Sequence, residues 1–318
     1  MKRLFAWLAV AALSLFSLQA MAATKILGGP SPGLWWNPNE SGRGYNFDLQ
    51  GNLLVMTTYV YNQQGAPVWY LSVGTYNYAN GQMSATFDGA SNGQCLGCSY
   101  KAPVGQANVA GPVKVIFDNS LNGTLYFNGG STHIERQIFG FADLNAFLFG
   151  ELQMGYNISG LIGGDWFLFN NNYTASDGTK YIAGNLDGCT SCTTLGRYDP
   201  SLKAWTMIDK VGSYYTFYEV NMDDRRVVGL SWIYQTTLSG SGTVSLGSRV
   251  LAQAELTAAL AAKLGQGALR STASDAEYIA NREQSLAKLM ALQAKDTTPV
   301  PPEVMALSAQ MRAELDKR

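Results

Sequence analysis

The sequence predicts an all-β protein, an antiparallel meander folded as a barrel or a sandwich, with an α-helical C-terminal tail. Three observations support this fold class. The 318 residues include 34 Gly, 17 Tyr and 7 Trp, while only 14% are charged, a composition typical of extracellular β proteins with many turns. Short β-branched and aromatic runs alternate with Gly, Asn and Asp up to about residue 250. Beyond that point Ala, Leu, Glu and Lys replace the glycines and aromatics.

The N-terminus has the pattern of a secretory signal peptide. Lys2 and Arg3 precede an apolar run over residues 4–18, and residues 20–22 form a small-x-small cleavage site. We therefore expect residues 1–22 to be removed and the protein to be exported to the periplasm or the extracellular space. The apolar run is short for a bilayer span of about 20 residues. No later segment is long and apolar enough, so we expect no transmembrane span after signal cleavage.

Charge and residue counts argue against several functional classes. A net charge of −1 gives no basic field for nucleic acid. The single histidine, His133, is interpreted as an exposed strand-end residue, and a Ser-His-Asp triad would have to use it. The chain has no Gly-rich phosphate loop and no Gly-x-Ser-x-Gly motif. We therefore assign no catalytic residue, no metal ligand and no cofactor.

Residues 31–141 are predicted to form a first β domain. A strand over residues 53–61 and a returning strand over residues 66–73 are joined by the short turn 62–65, which predicts a hairpin. Gly-containing turns separate four further strand-like runs, at residues 83–87, 113–117, 124–127 and 133–139.

Residues 150–250 are predicted to form a second β-rich domain. Residues 164–169 echo the Gly-x-Trp pattern at residues 33–35, and residues 198–205 echo the aromatic hairpin at 61–69. The runs at 214–220 and 227–234 predict another hairpin. A degenerate second copy of the first domain and convergent β patterning are both compatible with these echoes.

The C-terminal tail, residues 251–318, is predicted to be helical. Its helices are Ala-rich with thin apolar stripes, so we expect them to dock on the β part, to pair with a partner, or to stay partly mobile. The stripes of the three predicted helices are Leu256, Leu260 and Leu264, then Ile279, Leu286, Leu289 and Met290, then Leu307, Met311 and Leu315.

The four cysteines form two Cys-x-x-Cys pairs, Cys95 with Cys98 and Cys189 with Cys192. In an oxidising compartment, two local disulfides that staple surface loops are the favoured interpretation. A four-thiolate zinc site, a thioredoxin-like redox pair and a cross-linked pairing remain as alternatives, although the redox pair would require a βαβ context.

The opening segment, residues 33–44, places two tryptophans before a polar turn. Successive residues on a strand point to opposite faces, so one of Trp35 and Trp36 should lie in the core and the other outside. Trp69 and Tyr70 are also adjacent on a predicted strand, so one of them should point inward and the other outward. Outward aromatic rings offer flat apolar faces on which sugars stack. The candidate ligand-binding residues are therefore Trp35, Trp36, Trp69 and Tyr70, and packing inside the fold is the competing role.

The turn after the tryptophans is predicted to be structural. It contains Glu40, Ser41, Gly42, Arg43 and Gly44. Glu40 could pair with Arg43 or accept backbone N–H bonds within the turn. A glycosidase would require two carboxylates about 5–10 Å apart. Carboxylates that could serve are Glu40, Asp48, Glu135 and Asp165, but the sequence does not bring any two of them together.

Residues 33–44, the Gly-x-Pro-x-Trp hairpin at 65–69 and the strand at 136–139 together resemble an uncharacterised module of exported Gram-negative proteins. The resemblance covers residues 31–141. It implies an exported bacterial β module and no catalytic residues. The Gly-x-Trp opening and the meander also resemble avidin- and lipocalin-type barrels.

These patterns predict an exported, non-catalytic binding or structural protein of the bacterial cell envelope. One alternative is a carbohydrate-binding or carbohydrate-active protein that uses exposed aromatic side chains. Another is an envelope assembly factor that docks a partner through its C-terminal helices. The partner would accordingly be a cell-surface glycan or an envelope protein.

Overall fold

A computed structural model describes residues 29–139, 143–186, 188–222, 226–252 and 274–318. The predicted signal peptide and the predicted helix at Leu256–Leu264 lie outside these residues. Among the described helices, none has the length and apolar character needed to cross a membrane.

The first half of the chain folds into a closed barrel of eight antiparallel strands. Each strand pairs with the next along the barrel, and β10 closes the ring by pairing with β1 through Trp35 and Arg136. The strands are β1 (Gly33–Trp36), β2 (Gly44–Gln50), β3 (Leu53–Tyr61), β4 (Pro67–Asn77), β5 (Gln82–Thr86), β8 (Pro112–Phe117), β9 (Asn122–Phe127) and β10 (Gly130–Arg136). Between β5 and β8 a separate two-stranded hairpin forms from β6 (Gly89–Ser91) and β7 (Val104–Gln106).

The predicted hairpin is present with nearly the expected bounds, as β3 and β4. The last predicted strand of this domain, 133–139, is shifted: β10 begins at Gly130 and ends at Arg136. The β6–β7 hairpin was not predicted, because its short strands consist mainly of small and polar residues without an apolar alternation.

An aromatic cluster fills one part of the first barrel. The rings of Trp35, Phe47 and Phe117 meet edge to face, with centroids 5.0–5.4 Å apart. Trp35 is 1% exposed, and its indole Nε1 donates a hydrogen bond of 2.9 Å to the carbonyl of Ser31. The buried indole N–H therefore has a partner, as a buried donor requires.

The second half forms another closed barrel of eight antiparallel strands, β11 to β18 in sequence order. Pairing of β11 with β18 closes it. The strands are β11 (Gly150–Ile158), β12 (Leu161–Thr174), β13 (Lys180–Leu186), β14 (Cys189–Asp199), β15 (Ala204–Val211), β16 (Tyr214–Met222), β17 (Arg226–Tyr234) and β18 (Thr243–Ala252). The predicted all-β class with C-terminal helices is thus confirmed, and the architecture is two barrels.

The two barrels share an architecture, but the sequence echoes do not occupy equivalent positions. Trp35 points into the first barrel, whereas in the echo at residues 164–169 Asp165 is buried and Trp166 is only half-buried. In the second echo Trp205 is buried, whereas Trp69 is 50% exposed. In each pair of similar motifs, the matching tryptophans thus lie on opposite faces of the barrel wall. This favours convergent β patterning over a degenerate repeat as the origin of these two similarities.

Two helices follow the second barrel, α1 (Asp275–Gln293) and α2 (Pro302–Leu315). In α1, Leu286 and Leu289 join the core cluster of the barrel interior. In α2, the buried apolar residues cover the outer wall formed by β13 to β17, where they meet side chains such as Phe217 and Trp232. Both helices are thus docked on the β part. The buried residues of α2 in this cluster are Val304, Leu307, Met311 and Leu315.

A short 3-10 helix, Leu144–Leu148, packs against the same barrel. Phe147 and Leu148 lie in its core cluster, and Trp205 Nε1 donates a 2.7 Å hydrogen bond to the Leu144 carbonyl. The core of the second barrel therefore includes residues from the 3-10 helix that precedes its strands and from helix α1 that follows them.

Both Cys-x-x-Cys pairs lie at disulfide distance, with Cα atoms 5.2 Å apart for Cys95–Cys98 and 5.3 Å apart for Cys189–Cys192. The predicted local pairing is confirmed. The four-thiolate zinc alternative is wrong, because all four cysteines are paired in the two local disulfides. The first pair staples an exposed loop between β6 and β7, as predicted. The prediction of a surface loop is wrong for the second pair, because Cys189 and Cys192 lie in strand β14 and are each 1% exposed.

Candidate functional site

Four residues that are register partners on the adjacent strands β1 to β4 form a row across the outer face of the first barrel. Gly44 on β2 pairs with Tyr59 on β3, and Tyr59 pairs with Trp69 on β4. Trp35 pairs with Tyr45, so the same register places Trp36 beside Gly44. We call Trp36, Gly44, Tyr59 and Trp69 the aromatic row.

The aromatic side chains of this row face solvent. Tyr59 is 49% exposed and Trp69 is 50% exposed, and Trp36 is half-buried. Neighbouring strands lie about 4.8 Å apart, so the three steps from Trp36 to Trp69 span about 14 Å. Tyr61, on the same face of β3, adds a fourth ring that is 60% exposed.

Glycine at position 44 leaves a shallow trough in the row. A side-chain carbon built at this position would meet only the Trp35 carbonyl oxygen, at 3.9 Å. The space above β2 is therefore open between Trp36 and Tyr59. A flat ligand could approach the backbone of β2 there while it contacts the rings on either side.

Polar groups continue the row beyond Trp36. Glu135 on β10 pairs with Trp36, and Asn122 on β9 pairs with Glu135. Nε2 of His133 lies 3.0 Å from Oε1 of Glu135, and both side chains are 42% exposed. A carboxylate and an imidazole that can exchange hydrogen bonds with hydroxyl groups therefore lie at one end of the aromatic surface.

The four ligand-binding residues predicted from the sequence divide between the two faces. Trp36 and Trp69 lie on the outer face. Trp35 lies in the core, and Tyr70 packs inward, with its ring centroid 5.6 Å from that of Phe87. Tyr59 was missed, because apolar residues on both faces of β3 obscure which face is outward.

The turn between β1 and β2 is bonded to β10. Arg43 pairs with Glu40. Glu40 also accepts a 3.2 Å hydrogen bond from Thr132 Oγ1, and the Asn37 side-chain amide donates a 3.0 Å bond to the same hydroxyl oxygen. Gly42 has a φ of 92°, a conformation that L side chains rarely adopt. Ser41 and Gly44 complete the turn, which lies beside the row.

None of the described contacts joins two of the candidate carboxylates. Glu40 contacts Arg43, Asp48 accepts a 3.1 Å hydrogen bond from Gln50, and Glu135 contacts His133. Asp165 belongs to the other barrel. Among the described contacts, each of these carboxylates thus has a different partner.

Asp165 belongs instead to a buried polar cluster in the second barrel. Arg282, which projects from α1, lies 2.5 Å from Asp165 Oδ1 and 2.6 Å from the Tyr156 hydroxyl. The Tyr218 hydroxyl donates a 2.7 Å hydrogen bond to Asp165 Oδ2. The Asp165 side chain is 0% exposed and that of Arg282 is 13% exposed. This cluster joins α1 to the barrel interior.

A second carboxylate, Asp209, is buried in the same cluster. Burial raises the pKa of Asp209 well above its usual value, and the negative charge of Asp165 raises it further, while Arg282 acts in the opposite direction. A neutral carboxylic acid at this position avoids a second buried negative charge opposite one arginine.

The Asp209→Asn variant tests this protonation. Asp209 has a pKa near 4 in the unfolded chain. At pH values between about 4 and the raised pKa of the folded protein, Asp209 is protonated in the folded state and ionised in the unfolded state. Its contribution therefore lowers the free energy of unfolding as the pH rises above about 4. Asparagine carries no such proton. We expect the variant to gain stability relative to wild type from pH 4 towards pH 7, as measured by urea unfolding at several pH values. Parallel stability curves would contradict the raised pKa.

Scans against protein-family models, curated proteins and solved structures found no match for this chain.

Proposed function

We propose that this is an exported, non-catalytic binding protein of the cell envelope, and that it binds carbohydrate through the aromatic row. The observation that carries the proposal is the alignment of Trp36, Tyr59 and Trp69 on one face of adjacent strands. Sugar rings have apolar C–H faces that stack on flat aromatic side chains, and their hydroxyl groups bond to polar groups such as those at the Glu135 end of the row.

The barrel makes this surface suitable for binding because its backbone is held by a closed ring of hydrogen-bonded strands. Side chains on a rigid scaffold lose little conformational freedom when a ligand binds, which favours affinity. The signal-peptide pattern and the two disulfides support export, since disulfides persist in oxidising compartments.

The other two functions fit the described contacts less well. A hydrolase would require a carboxylate pair, and none of the described contacts joins two of the candidate carboxylates. An assembly factor that docks through the C-terminal helices would require free apolar faces. Most of the apolar surface of α1 and α2 packs against the second barrel, so docking through that surface would first require the helices to leave it. The buried residues are Leu286 and Leu289 of α1 and Val304, Leu307, Met311 and Leu315 of α2.

Alanine variants of the row test the proposal. Trp36→Ala, Tyr59→Ala and Trp69→Ala should each weaken polysaccharide binding by about fivefold or more, the loss expected when an interface residue worth more than 1 kcal/mol is truncated. Affinity electrophoresis against a panel of immobilised polysaccharides identifies a ligand, and calorimetry with its soluble oligomers gives the dissociation constants.

Tyr126→Ala provides a matched control. Tyr126 is an exposed tyrosine of the same barrel, on β9, and it is 38% exposed. This variant should bind like wild type. If Tyr126→Ala and Trp69→Ala lose the same amount of affinity for the polysaccharide, the ligand does not bind specifically at the row. If no polysaccharide binds the wild-type protein, the proposed function is wrong.

A further inference from the structure

We propose that the ligand of the aromatic row is an uncharged, chain-like oligosaccharide that lies across the four strands. This inference rests on the proposed function and specifies the class of glycan. It is based on the charges around the row, on the length of the row and on the open trough at Gly44.

The strands that carry the row are almost free of charge. Across β1 to β4 the one charged residue is Asp48, and it is negative. Glu135, which pairs with Trp36, adds a second carboxylate at the end of the row. An acidic polysaccharide placed here would face two carboxylates of its own sign and no basic residue on these four strands.

Two arginines near the ends of β1 are already engaged by groups of the protein. Arg43 pairs with Glu40. Arg136 Nη1 donates hydrogen bonds to the carbonyl oxygens of Leu34, at 3.1 Å, and of Gln137, at 2.5 Å. A uronate or phosphate group would compete with these bonds for the two guanidinium groups. Recognition of acidic ligands normally uses guanidinium groups that can form bidentate bonds, so the charge pattern favours an uncharged ligand.

The geometry of the row favours a chain over a single sugar. The outer rings are separated by about 14 Å across three strand spacings, which exceeds the reach of one pyranose. Between them, the trough at Gly44 lets a sugar unit lie close to the backbone of β2 while its neighbours contact Trp36 and Tyr59. A chain that crosses the strands would use all of these contacts, so its affinity should increase with the number of sugar units.

Calorimetry with two ligand series tests the inference. The first consists of neutral β-linked glucose and N-acetylglucosamine oligomers of increasing length, and the second of galacturonate and mannuronate oligomers of the same lengths. We expect affinity for at least one neutral series to rise with length until the row is filled. We expect the acidic series to bind more than tenfold more weakly, at low and at high salt.

The Gly44→Val variant tests the position of the chain. Valine suits a strand, and a Cβ atom at position 44 would meet only the Trp35 carbonyl oxygen, at 3.9 Å, so the fold should be retained. The variant should lose the length dependence because the trough is filled. Wild-type affinity for long oligomers in Gly44→Val would overturn the placement of the chain across the strands.

The outcomes separate this inference from the proposed function. If acidic oligomers bind better than neutral ones and Trp69→Ala abolishes that binding, the row binds carbohydrate but the uncharged class is wrong. If affinity does not depend on length, the ligand is not a chain. If neither series nor any polysaccharide binds, both proposals fail.

Discussion

Replacement of Arg282 with alanine is expected to lower the free energy of unfolding by about 3–5 kcal/mol, the loss typical when one partner of a buried ion pair is removed. The variant would leave the Asp165 carboxylate, whose side chain is 0% exposed, without its cation. The Tyr218 hydroxyl would remain as a hydrogen-bond donor, but a neutral donor offsets only part of the cost of burying a charge.

Urea unfolding of the full chain, followed by circular dichroism, measures this loss. Lys288→Ala is the control, since Lys288 is an exposed cation on the same helix and its loss should change stability by less than about 0.5 kcal/mol. The double variant Asp165→Asn/Arg282→Ala should recover a large part of the stability, because it removes the unpaired charge. A loss below about 1 kcal/mol in Arg282→Ala would mean that water reaches Asp165 or that α1 is not docked as described.

Replacement of Trp35 with alanine is expected to cost about 3–5 kcal/mol, the usual range for a buried tryptophan. The side chain is 1% exposed, contacts Phe47 and Phe117, and donates its indole N–H to Ser31. Its truncation would leave a cavity and would also remove a buried hydrogen bond.

Trp36→Ala is the matched control, because it removes the same side chain from the neighbouring position on the outer face. It should cost clearly less stability than Trp35→Ala, yet it should weaken ligand binding. Thermal unfolding and calorimetry of the two variants would thus separate core packing from binding within one dipeptide. Equal destabilisation by the two substitutions would contradict the assignment of their faces.

Local patterns predicted the parts of the fold that depend on neighbouring residues. The β3–β4 hairpin follows from two apolar runs joined by a short Gly-containing turn. Helix α1, which the stripe of Ile279, Leu286, Leu289 and Met290 predicted, begins at Asp275, where the Ser274 side chain accepts a hydrogen bond from the Glu277 amide. In the same way, alternation along β1 required one tryptophan on each face, and burial identifies Trp35 as the inner one.

Other features depend on contacts between distant residues and could not be predicted from one sequence. Nearly all of β15 is buried because α2 covers its outer face, so no alternation marks it as a strand of a barrel wall. The ion pair of Asp165 with Arg282 joins residues 117 positions apart. The aromatic row likewise depends on the register of four strands, which local patterns do not determine.

The paired tryptophans also present the folding chain with an ambiguity. A slip of β1 by one residue would still deliver a tryptophan to the interior, so hydrophobic burial alone discriminates poorly between the two registers. In the native register the Asn37 amide donates a hydrogen bond to Thr132 Oγ1, and this hydroxyl donates one to Glu40, so the turn after β1 is bonded directly to β10. Since a slipped β1 would displace Asn37 and Glu40 from Thr132, these bonds favour the native strand alignment, and we expect their removal to lower the yield of correctly folded protein on refolding.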